Sequence, residues 1–348
     1  MSKKLLEVRD LATHFILDEG TVRALEGVSF EIEAGETLGL VGESGCGKSV
    51  TALSILRILG PRGKIIRGEI LFHRESGAVD LTKLDPVGPE IRSIRGAEIA
   101  MIFQEPMTSF SPVYTIGNQI MEAIMLHRTD LDKRQAREYA IHMLDRVGIP
   151  KPELRIDSYP GQLSGGMRQR AMIAMALVCN PSLLIADEPT TALDVTTQAQ
   201  ILDLMNDLQA EYGMAIMMIT HNLGVVAETT EKVAVMYLGR IVESGPVEVI
   251  FDNPLHPYTR ALLRSVPKLG RKSKQRLASI KGVVPDAYNI PTGCSFHPRC
   301  PECRRGLCDQ QLPELKEAEA GHHVSCWVVE QEISQTSADG TVARGDLT

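Results

Sequence analysis

The sequence predicts an α/β fold with a largely parallel sheet, and three observations carry that reading. Short apolar runs of strand length recur at residues 37–41, 183–186 and 215–220. Stretches with helical spacing alternate with them at 49–59 and 196–212. A glycine-rich segment, residues 42–49, joins the first run to the first helix.

Taken in order, residues 5–15 mix apolar and polar side chains and end near Asp18-Glu19-Gly20, a turn signal. Residues 28–33 alternate, as a half-buried strand does. Residues 127–147 are charged, with apolar positions at helix-like intervals, and read as a mostly helical insertion within about 105–180. The run 183–186 is a buried strand ending in Asp187-Glu188. Residues 196–212 put Ile201, Leu204, Met205 and Leu208 on one helical face, and Gly213 is the expected stop. Residues 233–237 and 241–243, around Leu238-Gly239-Arg240, form a hairpin. From Asn253 the composition shifts. A basic segment (Arg271, Lys272, Lys274, Arg276) leads into a cysteine-rich region punctuated by Pro and Gly, and the polar end, residues 331–348, is expected to be disordered.

The 348 residues are 43% hydrophobic but only 4% aromatic, so aliphatic side chains and Met fill the core. A net charge of −7 argues against nucleic acid as the main partner. No apolar stretch approaches the roughly 20 residues of a spanning helix, and Met-Ser-Lys-Lys does not open a secretion leader. The expectation is a soluble, cytoplasmic protein that reaches a membrane only by docking on another protein.

Gly42-Glu43-Ser44-Gly45-Cys46-Gly47-Lys48-Ser49 fits G-x-x-x-x-G-K-[ST]. The glycines let backbone N–H groups turn inward around phosphates, and the following helix adds its positive N-terminal end. Lys48 can reach the β- and γ-phosphates, and the Ser49 hydroxyl can ligate Mg²⁺. Cys46 fills a free position as a bystander, and Val50 follows in the first helical turn. Strand, glycine loop and helix together open a P-loop fold. Asp187 then ends a buried strand where a carboxylate can hold the Mg²⁺ shell, and Glu188 is placed to polarise an attacking water.

Leu163-Ser164-Gly165-Gly166-Met167-Arg168-Gln169-Arg170 makes a second anion-binding helix start. L-S-G-G-x-x-Q-R ahead of a strand ending in Asp-Glu resembles the signature of the ABC ATPase family. The resemblance implies a dimer with two shared ATP sites, in which Ser164, Gly165, Gly166 and Gln169 face the nucleotide of the opposite subunit. It also implies roles for Gln104 as the Q-loop glutamine near Mg²⁺ and the lytic water, and for Asp194 as the D-loop residue at the dimer interface. His221 matches the switch histidine at the γ-phosphate, and Phe15 is the candidate for stacking on adenine.

A second resemblance narrows the branch. Asn253-Pro254-Leu255-His256-Pro257-Tyr258-Thr259-Arg260 and Gly293-Cys294-Ser295-Phe296-His297-Pro298-Arg299-Cys300-Pro301 are similar to segments of dipeptide, oligopeptide and nickel importers. That branch implies a second ATPase subunit (commonly a different one), two integral membrane subunits and an external binding protein. Residues 105–119 would receive the coupling helix of a membrane subunit.

Cys294, Cys300, Cys308 and Cys326 fall where related subunits place four cysteines, some of which carry a [4Fe–4S] cluster. By residue type alone zinc or free thiols stay open, and Cys303, in Cys300-Pro301-Glu302-Cys303, is a possible substitute ligand. Cys179 is expected to be buried. The full expectation is a P-loop ABC ATPase core over 1–252 with an antiparallel β subdomain and a nested helical subdomain. A cysteine-rich extension follows over 253–330. The competing reading is a soluble ABC ATPase acting on ribosomes or nucleic acid, which one ATPase domain and C-terminal rather than N-terminal cysteines disfavour.

Overall fold

The N-terminal region holds more strand than its sequence pattern announces. In a computed structural model, which describes residues 3–104, 109–191, 193–265 and 280–339 (334–339 as backbone alone), β1 (Lys4–Leu17) and β2 (Gly20–Glu33) run antiparallel across the Asp18-Glu19 turn. β4 (Gly63–Arg74) and β5 (Gly77–Asp80) complete a four-stranded sheet ordered β2-β1-β4-β5. The simple alternation of β1 breaks where its register shifts between Val8 and Leu11, with Asp10 at φ 45°. The shift leaves Leu11, Ala12 and Thr13 all buried in succession, which hides the strand from a period-two reading.

The larger sheet has eight strands in the order β11-β12-β10-β9-β3-β8-β7-β6. β3 (Thr37–Val41), β6 (Ile99–Ile102), β7 (Leu183–Asp187), β8 (Ala215–Thr220) and β9 (Lys232–Tyr237) are parallel, and the three apolar runs of the sequence lie among them. Buried on both faces, such strands read as unbroken apolar runs. β10 (Arg240–Pro246) returns antiparallel to β9 as the expected hairpin. β12 (His322–Val324) and β11 (Lys316–Glu319), from the C-terminal region, then extend the same sheet antiparallel.

The helix after the glycine loop, Lys48–Ile55, is shorter than residues 49–59 suggest, because Arg57 at φ 56° turns the chain out of it. Among the described residues the charged insertion holds two longer helices, a short one at Pro152–Arg155, and the helix Gly165–Leu177. Ile116–His127 is capped by Thr115, and Lys133–Arg146 starts at a capping box of Asp132 and Gln135, so 128–132 is a break rather than helix. With Gly165–Leu177 they bury Ile120, Ile124, Ala140 and Ile173 against Leu184 and Ile216 of the sheet. The helix Val195–Tyr212 buries Ile201, Leu202, Met205 and Leu208 and stops at Gly213 in the left-handed region, φ 64°. Leu204 is only half-buried there. Cys179 is also half-buried, just past the end of its helix rather than inside it.

One expectation for the C-terminus changes. The helix Trp327–Asp339 covers much of the stretch expected to be disordered, because Val328 and Val329 dock and start it and Glu330 pairs with Lys316 at 2.7 Å. Residues 340–348 and the basic segment lie outside the described residues.

Candidate active site

The glycine loop is shaped by contacts beneath it. A Cβ at Gly42 (φ 155°) would lie 2.2 Å from the Met236 carbonyl oxygen, and one at Gly47 (φ 109°) 2.7 Å from that of Ala24. Only glycine fits at either position. Cys46, buried under the loop, packs its sulfur against Gly42, while Ser44 and Gly45 are open to solvent and Val50 is half-buried. Lys48 is buried, and its Nζ donates to the carbonyls of Gly42 (2.8 Å) and Glu43 (3.1 Å). The helix it opens has no acidic residue in its first turn, so nothing there cancels the N-terminal field.

Across the sheet, β7 delivers Asp187 and Glu188 to the same end as the loop. Ser49 lies beside Asp187, whose Oδ1 is buried with no hydrogen-bond partner among the described residues. Burial, and then the charge of Glu188, raise the Asp187 carboxyl above its ordinary value, against the pull of Ser49 and Lys48. A buried carboxylate oxygen lacking a donor, beside a serine hydroxyl, is the hard oxygen set that Mg²⁺ takes. These residues fit the ion.

Glu188 sits at φ 48°, a strained conformation for a residue with a side chain. It is held from three sides. Gln104 Nε2 (3.0 Å) and Thr191 Oγ1 (2.9 Å) donate to Oε2, and His221 Nδ1 meets Oε1 at 3.1 Å. Burial works to raise its carboxyl, but the bonds from His221 and Thr191 outweigh it and hold the group below the ordinary range. Gln104 comes from the end of β6 and His221 from the end of β8, so three separated segments converge on one carboxylate. The arrangement can orient a water and accept its proton. The sequence reading misses Thr191; a hydroxyl two residues past a turn-forming Asp-Glu-Pro is the signal that could have found it.

Ser164 caps the helix Gly165–Leu177 by accepting from Met167 N at 3.3 Å. Ser164 and Gly165 are exposed, and a Cβ on Gly165 would meet nothing within 4 Å. Gln169 is buried and its Nε2 has no partner among the described residues. Among the described residues, no hydrogen bond or ion pair links 164–166 to the loop 42–49. Asp194 is an exposed helix cap, accepting from Thr197 N and Oγ1 at 3.0 and 2.7 Å; Ala192 beside it lies outside the described residues. Phe15 lies half-buried in β1 with its ring against Gly63, on the four-stranded sheet rather than on the loop.

Among the described residues no group of three or more His, Cys, Asp or Glu side chains is arranged to hold a metal ion. Zinc, which needs sulfurs about 2.3 Å from a shared centre, therefore gains no support, and neither does a substitute role for Cys303. Burial pushes the Cys294 thiol up to about 11 and the Cys300 thiol up to about 12. The Cys294 N–H donates to the Cys308 carbonyl at 2.8 Å, which brings those two segments together.

Residues 25–191 match the ABC transporter family, and residues 242–308 match the oligopeptide/dipeptide transporter C-terminal region. A probable peptide ABC transporter ATP-binding protein of Sinorhizobium fredii is 54% identical over 93% of this chain and 94% of its own length. The dipeptide transport ATP-binding protein DppD of Bacillus subtilis is 47% identical over 97% and 98%. Among solved structures, a dimeric post-hydrolysis state of the ATP-binding cassette MJ0796, bound to ADP and phosphate, superposes with a TM-score of 0.61. It is 26% identical and covers 70% of this chain and 98% of its own.

Proposed function

Since this chain belongs to the ATP-binding subunits of ABC transporters, we propose that it couples ATP hydrolysis to import of di- or oligopeptides, or of nickel, through separate membrane subunits. The peptide assignment is supported by the match of residues 242–308 and by the names of the relatives. The ribosome or nucleic-acid reading has no support among them.

The observation that carries the catalytic assignment is Glu188, held by Gln104, Thr191 and His221 one residue beyond a carboxylate with an unpartnered buried oxygen. Glu188 accepts the proton of the attacking water, and Gln104 and His221 fix its orientation. Ser49 and Asp187 would hold Mg²⁺, with Gln104 beside it. When bound there, Mg²⁺ supplies charge neutralisation at the β- and γ-phosphates. Lys48 swings from the carbonyls of Gly42 and Glu43 to the phosphates, and the backbone of Gly42, Ser44, Gly45, Cys46, Gly47 and Val50 shapes the cradle. Phe15 stacks on adenine. Ser164, Gly165, Gly166 and Gln169, with Asp194, complete the site of a second ATPase subunit. The exposed apolar side chains of Phe103, Val113, Tyr114, Met125 and Leu126 suit a surface that receives a membrane subunit.

Among the described residues no helix is long and apolar enough to cross a membrane, in keeping with a peripheral subunit. The cytoplasmic face, a different ATPase partner, two membrane subunits, an external binding protein, and the division into 1–252 and 253–330 complete the proposal. Glu188→Gln is expected to lower turnover at least about 100-fold while MgATP still binds. Unchanged turnover would sink the assignment.

A [4Fe–4S] cluster on Cys294, Cys300, Cys308 and Cys326 is the finer reading of the extension. It is supported by the spacing of the four cysteines and by the pairing of two of them, the Cys294 N–H donating to the Cys308 carbonyl at 2.8 Å. Iron and sulfide assays on anaerobically purified protein are expected to give about four of each per chain; neither element present would end that reading.

A further inference from the structure

Aromatic residues are only 4% of this chain, yet Tyr237, Tyr258 and Phe296 meet in one buried nest, with ring centroids 4.8 to 5.4 Å apart. Tyr237 ends β9, behind the glycine loop; Tyr258 and Phe296 come from the C-terminal region. Directly after Phe296, the short turn His297–Arg299 delivers Arg299, whose side chain is only 3% exposed. Its Nη1 and Nη2 donate to the two carboxylate oxygens of Glu43, at 2.6 and 3.1 Å. Its Nε donates to the Lys281 carbonyl at 3.2 Å, and the guanidinium lies 5.8 Å from the Tyr237 ring centroid. The Tyr258 hydroxyl accepts from the Glu43 N–H at 2.9 Å.

Glu43 is a residue of the loop, at a position where the motif tolerates anything. Here its carboxylate, its N–H and its carbonyl are all engaged, the last by Lys48 Nζ at 3.1 Å. An ordinary docking pair between two lobes would need only the carboxylate. A two-pronged arginine contact also fixes direction, which a lone ammonium does not. The chain of contacts therefore runs from the C-terminal lobe through one residue to the lysine of the phosphate cradle.

We infer that Arg299 and Tyr258 are positioning residues that hold the glycine loop through Glu43, so that docking of the C-terminal lobe sets how tightly this chain binds nucleotide. The inference rests on reading residues 42–49 as the nucleotide site. It does not depend on Glu188, because its readout is binding rather than turnover.

The test is MgADP binding by calorimetric titration on the full chain, with melting curves recorded without nucleotide so that binding is compared only where each variant is folded. Arg299→Gln and Glu43→Gln are each expected to weaken MgADP about tenfold, and the double variant no more than the worse single, because both side chains serve one contact. Arg299→Lys restores part of the loss, since it keeps the charge without the fork. Tyr258→Phe keeps the ring in its nest and loses about threefold. If Arg299→Gln does not fold, Tyr258→Phe decides alone. Folded variants that bind within about twofold of the parent, or losses that multiply in the double variant, overturn the inference. A parent chain that binds no MgADP would instead remove the nucleotide reading itself.

Discussion

The chain carries two glycine-rich turns that open helices, and they are built on opposite plans. At 42–49 the ends of the loop are braced from below, while Ser44 and Gly45 between them stay open: Gly42 and Gly47 press on backbone carbonyls, Lys48 is buried, and Glu43 is gripped from the C-terminal lobe. At 164–166 the turn is open at Ser164 and Gly165, both exposed, with nothing among the described residues within 4 Å of a Cβ on Gly165, and only Gly166 meets a neighbour, the Thr197 methyl at 2.9 Å. Both present backbone N–H groups at a helix start. The first has its geometry enforced by backbone carbonyls at Gly42 and Gly47, the second only by the Thr197 methyl at Gly166. The second has the form of half a site, whose proposed complement is the nucleotide of another subunit.

The contrast yields a graded set of expectations. Gly42→Ala drives a methyl into the Met236 carbonyl and should cost about 3 kcal/mol or more of stability, seen as a large fall in the urea midpoint. Ser164→Ala removes one cap and should cost about 1 kcal/mol in the same experiment. Gly165→Ala should leave stability unchanged or raise it by under about 1 kcal/mol, as helix propensity favours alanine, yet turnover of the assembled transporter should drop. A destabilised Gly165→Ala chain would mean that this turn too is braced from within, and the comparison would collapse.

The two neighbouring carboxylates sharpen the comparison on the catalytic side. Asp187 holds its proton more tightly in the fold than in an open chain, so ionising it costs stability as the pH rises above its ordinary value of 3.8. Glu188 holds its proton more weakly. Its ionised form contributes stability above 4.5, which is lost as the pH falls through the lowered value. At pH 7 and without nucleotide, Asp187→Asn should therefore raise the melting temperature and Glu188→Gln lower it. Shifts of the opposite sign would mean that the two environments have been assigned the wrong way round.

What the sequence determined on its own was local. The strand 183–187, the helix ending at Gly213 and the order of the motifs rest on apolar runs, caps and glycines, which act over a few residues. The same logic marked Lys48, Ser49, Asp187 and Glu188 as one chemical group. What tertiary structure decided was every convergence across a long separation. Gln104 reaches Glu188 over 84 positions and Arg299 reaches Glu43 over 256, and no local pattern encodes such a meeting. The register shift in β1 and the break at 128–132 were hidden for a related reason: burial there follows packing against other elements rather than a fixed period. The cysteines mark the same boundary. Their crowding is plain in the sequence, but whether thiols are ligands depends on distances between side chains, and only the fold sets those.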